Sequence, residues 1–145
     1  MKKIIVIVLI QLILSAGAFA RDTVGNFSIN ETLSLEKVKS SLGSEVKFYF
    51  GDQKHGKVLK NYGEFRTNKK TNAFHKSDKQ ACQWAFLSAM LSLKERAIQE
   101  GGNAVINIKS NYRNKLTSSN DSFQCGAGAF VAGVALVGTV VKIDE

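Results

Sequence analysis

The opening twenty residues constrain this chain more than anything that follows them. Lys2 and Lys3 give a basic start, Ile4 to Leu14 is an apolar run broken only by Gln11, and Ser15 to Ala20 is rich in small residues and ends in Ala18-Phe19-Ala20. A basic start, a short apolar core and an A-x-A end form the layout of a cleavable secretory leader. Cleavage is expected between Ala20 and Arg21. Residues 1–20 are therefore read as a signal peptide and residues 21–145 as a single domain that works in the periplasm or is secreted. A permanent anchor would need about 20 apolar residues, more than this run supplies. A lipid anchor would need a Cys at the cleavage point, and none stands there. The leader thus takes the most apolar stretch out of the fold and delivers the remainder to a compartment where disulfides persist.

That delivery gives meaning to the two cysteines, Cys82 and Cys125. An even count in an exported chain suggests a structural bridge. Metal or redox chemistry has little to stand on: there is no C-x-x-C, and His55 and His75 lack ligand spacing to either Cys. Proline is absent, which excludes a proline-rich linker, and no internal repeat or low-complexity tail is visible.

Along the mature chain, Arg21 to Asn30 reads as a polar, loose arm. Leu33, Leu35, Val38 and Leu42 fit a short helix ending at Gly43. Val46, Phe48 and Phe50 alternate as in a strand with one face in a core. The turn-like Gly51-Asp52-Gln53-Lys54-His55-Gly56 and a returning segment, Lys57 to Thr67, then suggest a β-hairpin, followed by a polar loop from Asn68 to Lys76. Ser77-Asp78-Lys79-Gln80 has the spacing of a capping box. The helix it opens carries Trp84, Leu87, Leu91 and Ile98 on one stripe and Phe86, Met90, Leu93 and Ala97 on the next, and Gly101-Gly102 closes it. Asn103 to Tyr112 reads as a central strand and Asn114 to Ser122 as a loop. The uncharged Gly/Ala/Val segment from Phe123 to Ile143 is long enough for a membrane helix. Its glycines and its many valines favour two strands, or one bent strand, instead.

Catalytic signatures are missing. The sequence has no G-x-x-x-x-G-K-S/T phosphate loop, no H-E-x-x-H and no G-x-S-x-G, and Gly126-Ala127-Gly128 does not open a helix as a dinucleotide site would. No catalytic residue, cofactor or metal is expected. The charge distribution is more telling. Of 20 basic and 12 acidic residues in the whole chain, eight basic ones (Lys54, Lys57, Lys60, Arg66, Lys69, Lys70, Lys76 and Lys79) lie between Lys54 and Lys79 against Glu64 and Asp78 alone. They are interleaved with Tyr62, Phe65 and Phe74, a pattern that can hold a polyanion by charge and stacking. The bland alternative is a solvated strand face with Tyr62 and Phe65 in the core. The candidate anion-binding residues are Lys54, Lys57, Lys60, Arg66, Lys69, Lys70 and Lys76. An exported protein meets lipopolysaccharide, anionic phospholipid or cell-wall polymer before it meets nucleic acid.

Several stretches also resemble a group of small exported proteobacterial proteins: Val46-Lys47-Phe48-Tyr49-Phe50-Gly51, Ser77-Asp78-Lys79-Gln80-Ala81-Cys82-Gln83-Trp84-Ala85, Gly102-Asn103-Ala104-Val105-Ile106-Asn107-Ile108, and Phe123-Gln124-Cys125-Gly126-Ala127-Gly128-Ala129-Phe130-Val131 with Gly138-Thr139. Members of that group often carry an excinuclease ABC label, that of the excinuclease ATPase subunit. This short chain with an export leader and no phosphate loop departs from what the label implies. A weaker, fold-level resemblance is to the YbjQ-like domain and the related Rcs stress-sensing lipoprotein. It implies an α+β sheet crossed by the main helix, while the lack of a lipidated Cys leaves a lipoprotein's sensor role behind.

The sequence therefore predicts an α+β fold: a mixed or antiparallel sheet of four to five strands, one long helix packed on it, a short N-terminal helix, and a Cys82–Cys125 bridge joining helix to sheet. The leading functional expectation is a non-enzymatic envelope protein whose basic hairpin-loop region contacts an anionic envelope polymer or lipid, or an envelope protein. A membrane-associated protein inserting its Gly/Ala/Val-rich C-terminal segment is the alternative, and a small periplasmic enzyme comes third.

Overall fold

Caps written into the sequence set the longest element. The computed structural model describes residues 21–145, so the leader and the Ala20 side of the expected cleavage point lie outside the described residues. Helix α3 (Asp78–Glu100) begins where Ser77 Oγ accepts the Gln80 N–H at 3.1 Å, and it ends at Gly101, whose left-handed φ of 84° closes the last turn. Before it come two short helices, α1 (Ile29–Ser34) and α2 (Glu36–Leu42), in place of the one helix expected there, with Gly43 ending the second as anticipated. The strands are β1 (Thr23–Ser28), β2 (Lys47–Phe50), β3 (Val58–Asn72), β4 (Ala104–Ser110), β5 (Ser122–Ala127) and β6 (Val131–Ile143). The fold is a single small α+β domain: a curled, mixed, six-stranded sheet with α3 across it.

The pairing departs from the sequence reading in three places. The hairpin between β2 and β3 does not form. β2 pairs in parallel with β4 (Lys47↔Ala104, Phe48↔Val105), and β3 pairs antiparallel with β6 along its whole length, from Val58↔Ile143 to Asn72↔Val131. The alternation in β2 fixed which side chains face the core but carried no information about the neighbouring strand. The polar stretch after Thr67 is no loop as far as Asn72, because β6 supplies the backbone partners that hold it extended. The supposed loose arm contains β1, which pairs with β5 over six positions, Thr23↔Ala127 to Ser28↔Ser122, and raises the strand count above the four or five expected.

β6 organises the sheet. One edge carries β3. The other is shared by β4, which pairs from Ala104↔Val141 to Ser110↔Leu136, and by β5, which pairs only at Gly126↔Gly133 and Ala127↔Ala132. Alternate β6 residues Ala132, Val134, Leu136 and Val140 join the core beneath α3, where Phe86 stacks between Phe123 (4.2 Å) and Phe50 (6.0 Å). The membrane-helix alternative for this segment thus gives way to two strands, and among the described residues no helix is long and apolar enough to cross a membrane. On α3, the stripe through Phe86, Met90, Leu93 and Ala97 is the buried one. Trp84 and Leu91 are half-buried, and Ile98 is exposed near the helix end. The bridge is present: Cys82 on α3 and Cys125 on β5 are joined, both fully buried.

Candidate functional site

Period-two alternation places Gly133 and Ala135 of β6 on the face away from α3. Register then fixes their neighbours. Lys70 of β3 stands opposite Gly133, Asn68 opposite Ala135, and Gly126 of β5 opposite Gly133 from the other edge. A strip of glycine and alanine between longer side chains leaves an open groove of about 890 Å³. Its floor is Gly126, Gly128, Gly133 and Ala135, its β3 wall Asn68 and Lys70, and its mouth Ala129, Phe130 and Val131.

The far wall comes from two segments distant in sequence. Arg21 and Asp22 lead into β1, while Tyr112 and Arg113 belong to a single 3-10 turn (Tyr112–Asn114) after β4. The Arg21 guanidinium grips both oxygens of Asp78 at 2.9 Å and also donates to the Gly128 carbonyl at 3.0 Å, tying the groove wall to the start of α3. That hydrogen-bonded pairing holds the Asp78 carboxyl below the usual carboxylate range and pushes Arg21 up. Asp22 pairs with Arg113 and accepts from the Tyr112 hydroxyl at 3.3 Å. Tyr112 lies so close to Gly126 that a Cβ there would sit 1.8 Å from the phenol oxygen; the position admits only glycine while the ring stays in place. Arg113 (φ 53°) and Asn114 (φ 60°) occupy the left-handed region, which turns the chain sharply and aims Arg113 into the groove.

A smaller recess of about 240 Å³ continues from this groove, sharing Asn68, Arg113 and Ala135 and adding Arg66, Thr67, Asn111 and Asn114. Thr67 contributes backbone only, since its side chain points to the α3 face with that of its partner Leu136, where the hydroxyl is buried with no hydrogen-bond partner among the described residues. The combined trough has an apolar floor, amide and phenol groups along its sides, and four cations, Arg21, Arg66, Lys70 and Arg113. Two of these are committed to carboxylates, and among the described residues Lys70 and Arg66 make no salt bridge. Such a surface can receive an anion between Lys70 and Arg66 on the β3 wall and Arg113 on the far wall while a flat or aliphatic body lies over the glycines.

The seven candidate cations do not form one patch. Lys54 and Lys57 sit in the connection after β2, and Lys60 lies at the start of β3 with its ammonium 5.0 Å over the Tyr62 ring. Arg66 and Lys70 line the trough, whereas Lys69 occupies the intervening position, which points to the other face. Lys76 follows β3 and donates to the Asn72 carbonyl at 3.0 Å. A 15-residue strand runs roughly 50 Å at about 3.3 Å per residue, so the two ends of the basic run are far apart. β3 is also an edge strand, and lysines along an edge discourage other strands from adding to it. Sequence reasoning missed Arg21, Asp22, Tyr112 and Arg113 altogether. The small residues at Gly126, Gly133 and Ala135 were the available hint, since strand glycines often mark a close approach of another group.

No family model matches the chain. No curated protein matches it either. Among solved structures it is similar to a protein of unknown function from Pediococcus pentosaceus ATCC 25745, described as belonging to the DUF74 family. The two share 17% identity over 68% of this chain and 98% of that one, with a TM-score of 0.44.

Proposed function

We propose that this protein is an exported, non-enzymatic envelope domain that binds an anionic envelope component in the trough on the open face of its sheet. The observation that carries this reading is the pairing of an apolar Gly/Ala floor with Lys70 and Arg66 on the β3 wall and Arg113 facing them from the far wall. It narrows the expected basic run to Arg66 and Lys70 and adds Arg21 and Arg113 from outside it. The leader supports the location. Cleavage after Ala20 would free the α-amino group of Arg21 at the edge of the groove, adding one more cation where the ligand is held.

Retention on immobilised heparin, as a soluble stand-in for a polyanion, and on lipopolysaccharide tests the reading. Retention at low salt should fall steeply as salt rises. The Lys70→Gln/Arg113→Gln double variant should bind about 10- to 100-fold more weakly, since charge-assisted hydrogen bonds contribute about 1.5–3 kcal/mol each before screening. A Lys54→Gln/Lys57→Gln/Lys60→Gln variant should retain nearly all binding. The reverse pattern would move the site to the other end of β3 and defeat the proposal.

A further inference from the structure

Two loops meet at one end of the sheet: the β5–β6 turn through Ala129 and Phe130, and the β3–α3 connection through Phe74 and His75. The Ala73 N–H donates to the Phe130 carbonyl at 2.8 Å and joins the two loops, while the Gly128 N–H to the Val131 carbonyl, also at 2.8 Å, closes the β5–β6 turn itself. The rings of Phe74 and Phe130 stack at 5.5 Å with 15° between planes, and His75 lies against Phe74 at 3.8 Å. This ordered aromatic pair is nonetheless turned outward: Phe130 is 66% exposed, and Phe74 and Val131 are 49% exposed. Arg21 and Lys70 line the groove that Phe130 and Val131 border, and Lys76 hangs from Asn72 beside Phe74. The nearby carboxylates Asp22 and Asp78 are taken up by Arg113 and Arg21.

We propose that this tip docks the protein onto an anionic lipid surface, with Phe74, Phe130 and Val131 entering the boundary between headgroups and acyl chains while Lys70 and Lys76 meet lipid phosphates. Three exposed apolar side chains at this tip do not by themselves supply the roughly 800 Å² per partner that a stable protein–protein interface buries. A membrane needs no such area, because a few inserted side chains and a ring of cations are enough for reversible attachment. The charge around the rings selects the lipid: cations surround them, and the neighbouring acids are neutralised. The proposal shares Lys70, Phe130 and Val131 with the trough and so rests partly on that reading, but Phe74 and Lys76 are its own.

Co-sedimentation of the processed protein (residues 21–145) with vesicles of phosphatidylethanolamine and phosphatidylglycerol, against phosphatidylcholine alone, tests it. The anionic vesicles should be preferred, by about fivefold for each basic residue at the surface. Phe74→Ser/Phe130→Ser should lower partition by about tenfold or more, given the apolar area withdrawn from water, and Phe74→Ser alone, which lies outside the trough lining, should lower partition while heparin retention stays unchanged. Phe130→Trp keeps the tip aromatic and should show an emission blue shift on adding anionic vesicles. Absent vesicle binding, or partition undiminished in the double serine variant, or an unmoved tryptophan emission would each overturn the proposal. Heparin binding without vesicle binding would sink this inference and spare the trough. Vesicle binding through the tip without heparin binding would do the opposite.

Discussion

Breaking the Cys82–Cys125 bridge should loosen one wall of the trough before it unfolds the protein. The two residues are 43 apart in sequence. In the chain-entropy model a crosslink of that span stabilises the folded state by about 4 kcal/mol at 25 °C, a large part of the 5–15 kcal/mol or so that holds a typical domain together. With a urea dependence near 1.5 kcal/mol per molar, the midpoint should fall by about 2–3 M. The loss should be uneven. β1 and β5 form a ribbon joined along six pairs, yet β5 meets β6 at two positions only. Besides that short ladder, the ribbon is tied to the body through the bridge, through the Phe123–Phe86 stack, through Arg21 on Asp78 and Asp22 on Arg113, and through the Gln124 N–H to Ser110 Oγ. Hydrogen exchange on protein whose thiols have been reduced and kept reduced should therefore show β1 and β5 amides opening at much lower free energy than those of β6 and α3. The Cys82→Ala/Cys125→Ala variant should behave in the same way. An unchanged midpoint, or exchange rising equally in all strands, would refute the view that the bridge clamps this ribbon to α3.

Three further outcomes follow from single positions. Gly133→Val places its Cβ in ordinary contact, 3.6 Å from Lys70 Cγ and 3.7 Å from the Lys69 carbonyl; thermal melts should show stability raised by about 0.5–1 kcal/mol, while heparin retention falls because the floor is filled. Gly126→Ala must displace Tyr112, so urea melts should show a loss of about 1–3 kcal/mol together with weaker retention. By NMR titration the Asp78 carboxyl should ionise below the usual carboxylate range, and Arg21→Gln should move it back up. Because its folded value is the lowered one, the stability it contributes is present above the unfolded-state range and is lost as acid carries the pH down through the folded value. The urea midpoint of Arg21→Gln should therefore decline less across that acid interval than that of the unaltered protein, and equal declines would count against the pairing.

Much of the fold is readable from local chemistry. α3 announces itself because both ends are made by residues within a turn of the boundary: Ser77 with Gln80, and Gly101. β4 and β6 follow from runs of β-branched residues, and reading residues 1–20 as an export leader made an expected pair of two isolated cysteines that the structure joins. What failed was always a question of partners. Val46, Phe48 and Phe50 specify a core face equally well beside β3 or beside β4, and the chain takes the parallel pairing with β4 after β3 and α3 have intervened. Thr23–Ser28 is polar and mostly exposed, so nothing in it signals a strand until β5 is alongside. The trough was hidden for the same reason. Its floor depends on Gly126 and Gly133 coming into register, and its far wall on Asp22 meeting Arg113 across 91 positions. The basic run was visible as composition, but only its extended conformation along β6 decides which of its cations share a surface.

The most direct test of the binding account is amide chemical-shift mapping of isotope-labelled protein titrated with a short heparin oligosaccharide. The account predicts that the perturbed residues cluster at Arg21, Asn68, Lys70, Tyr112, Arg113, Gly126 and Gly133, with saturation lost in Lys70→Gln/Arg113→Gln. Shifts confined to the Lys54–Lys60 end of β3, or spread evenly over every exposed lysine, would contradict it.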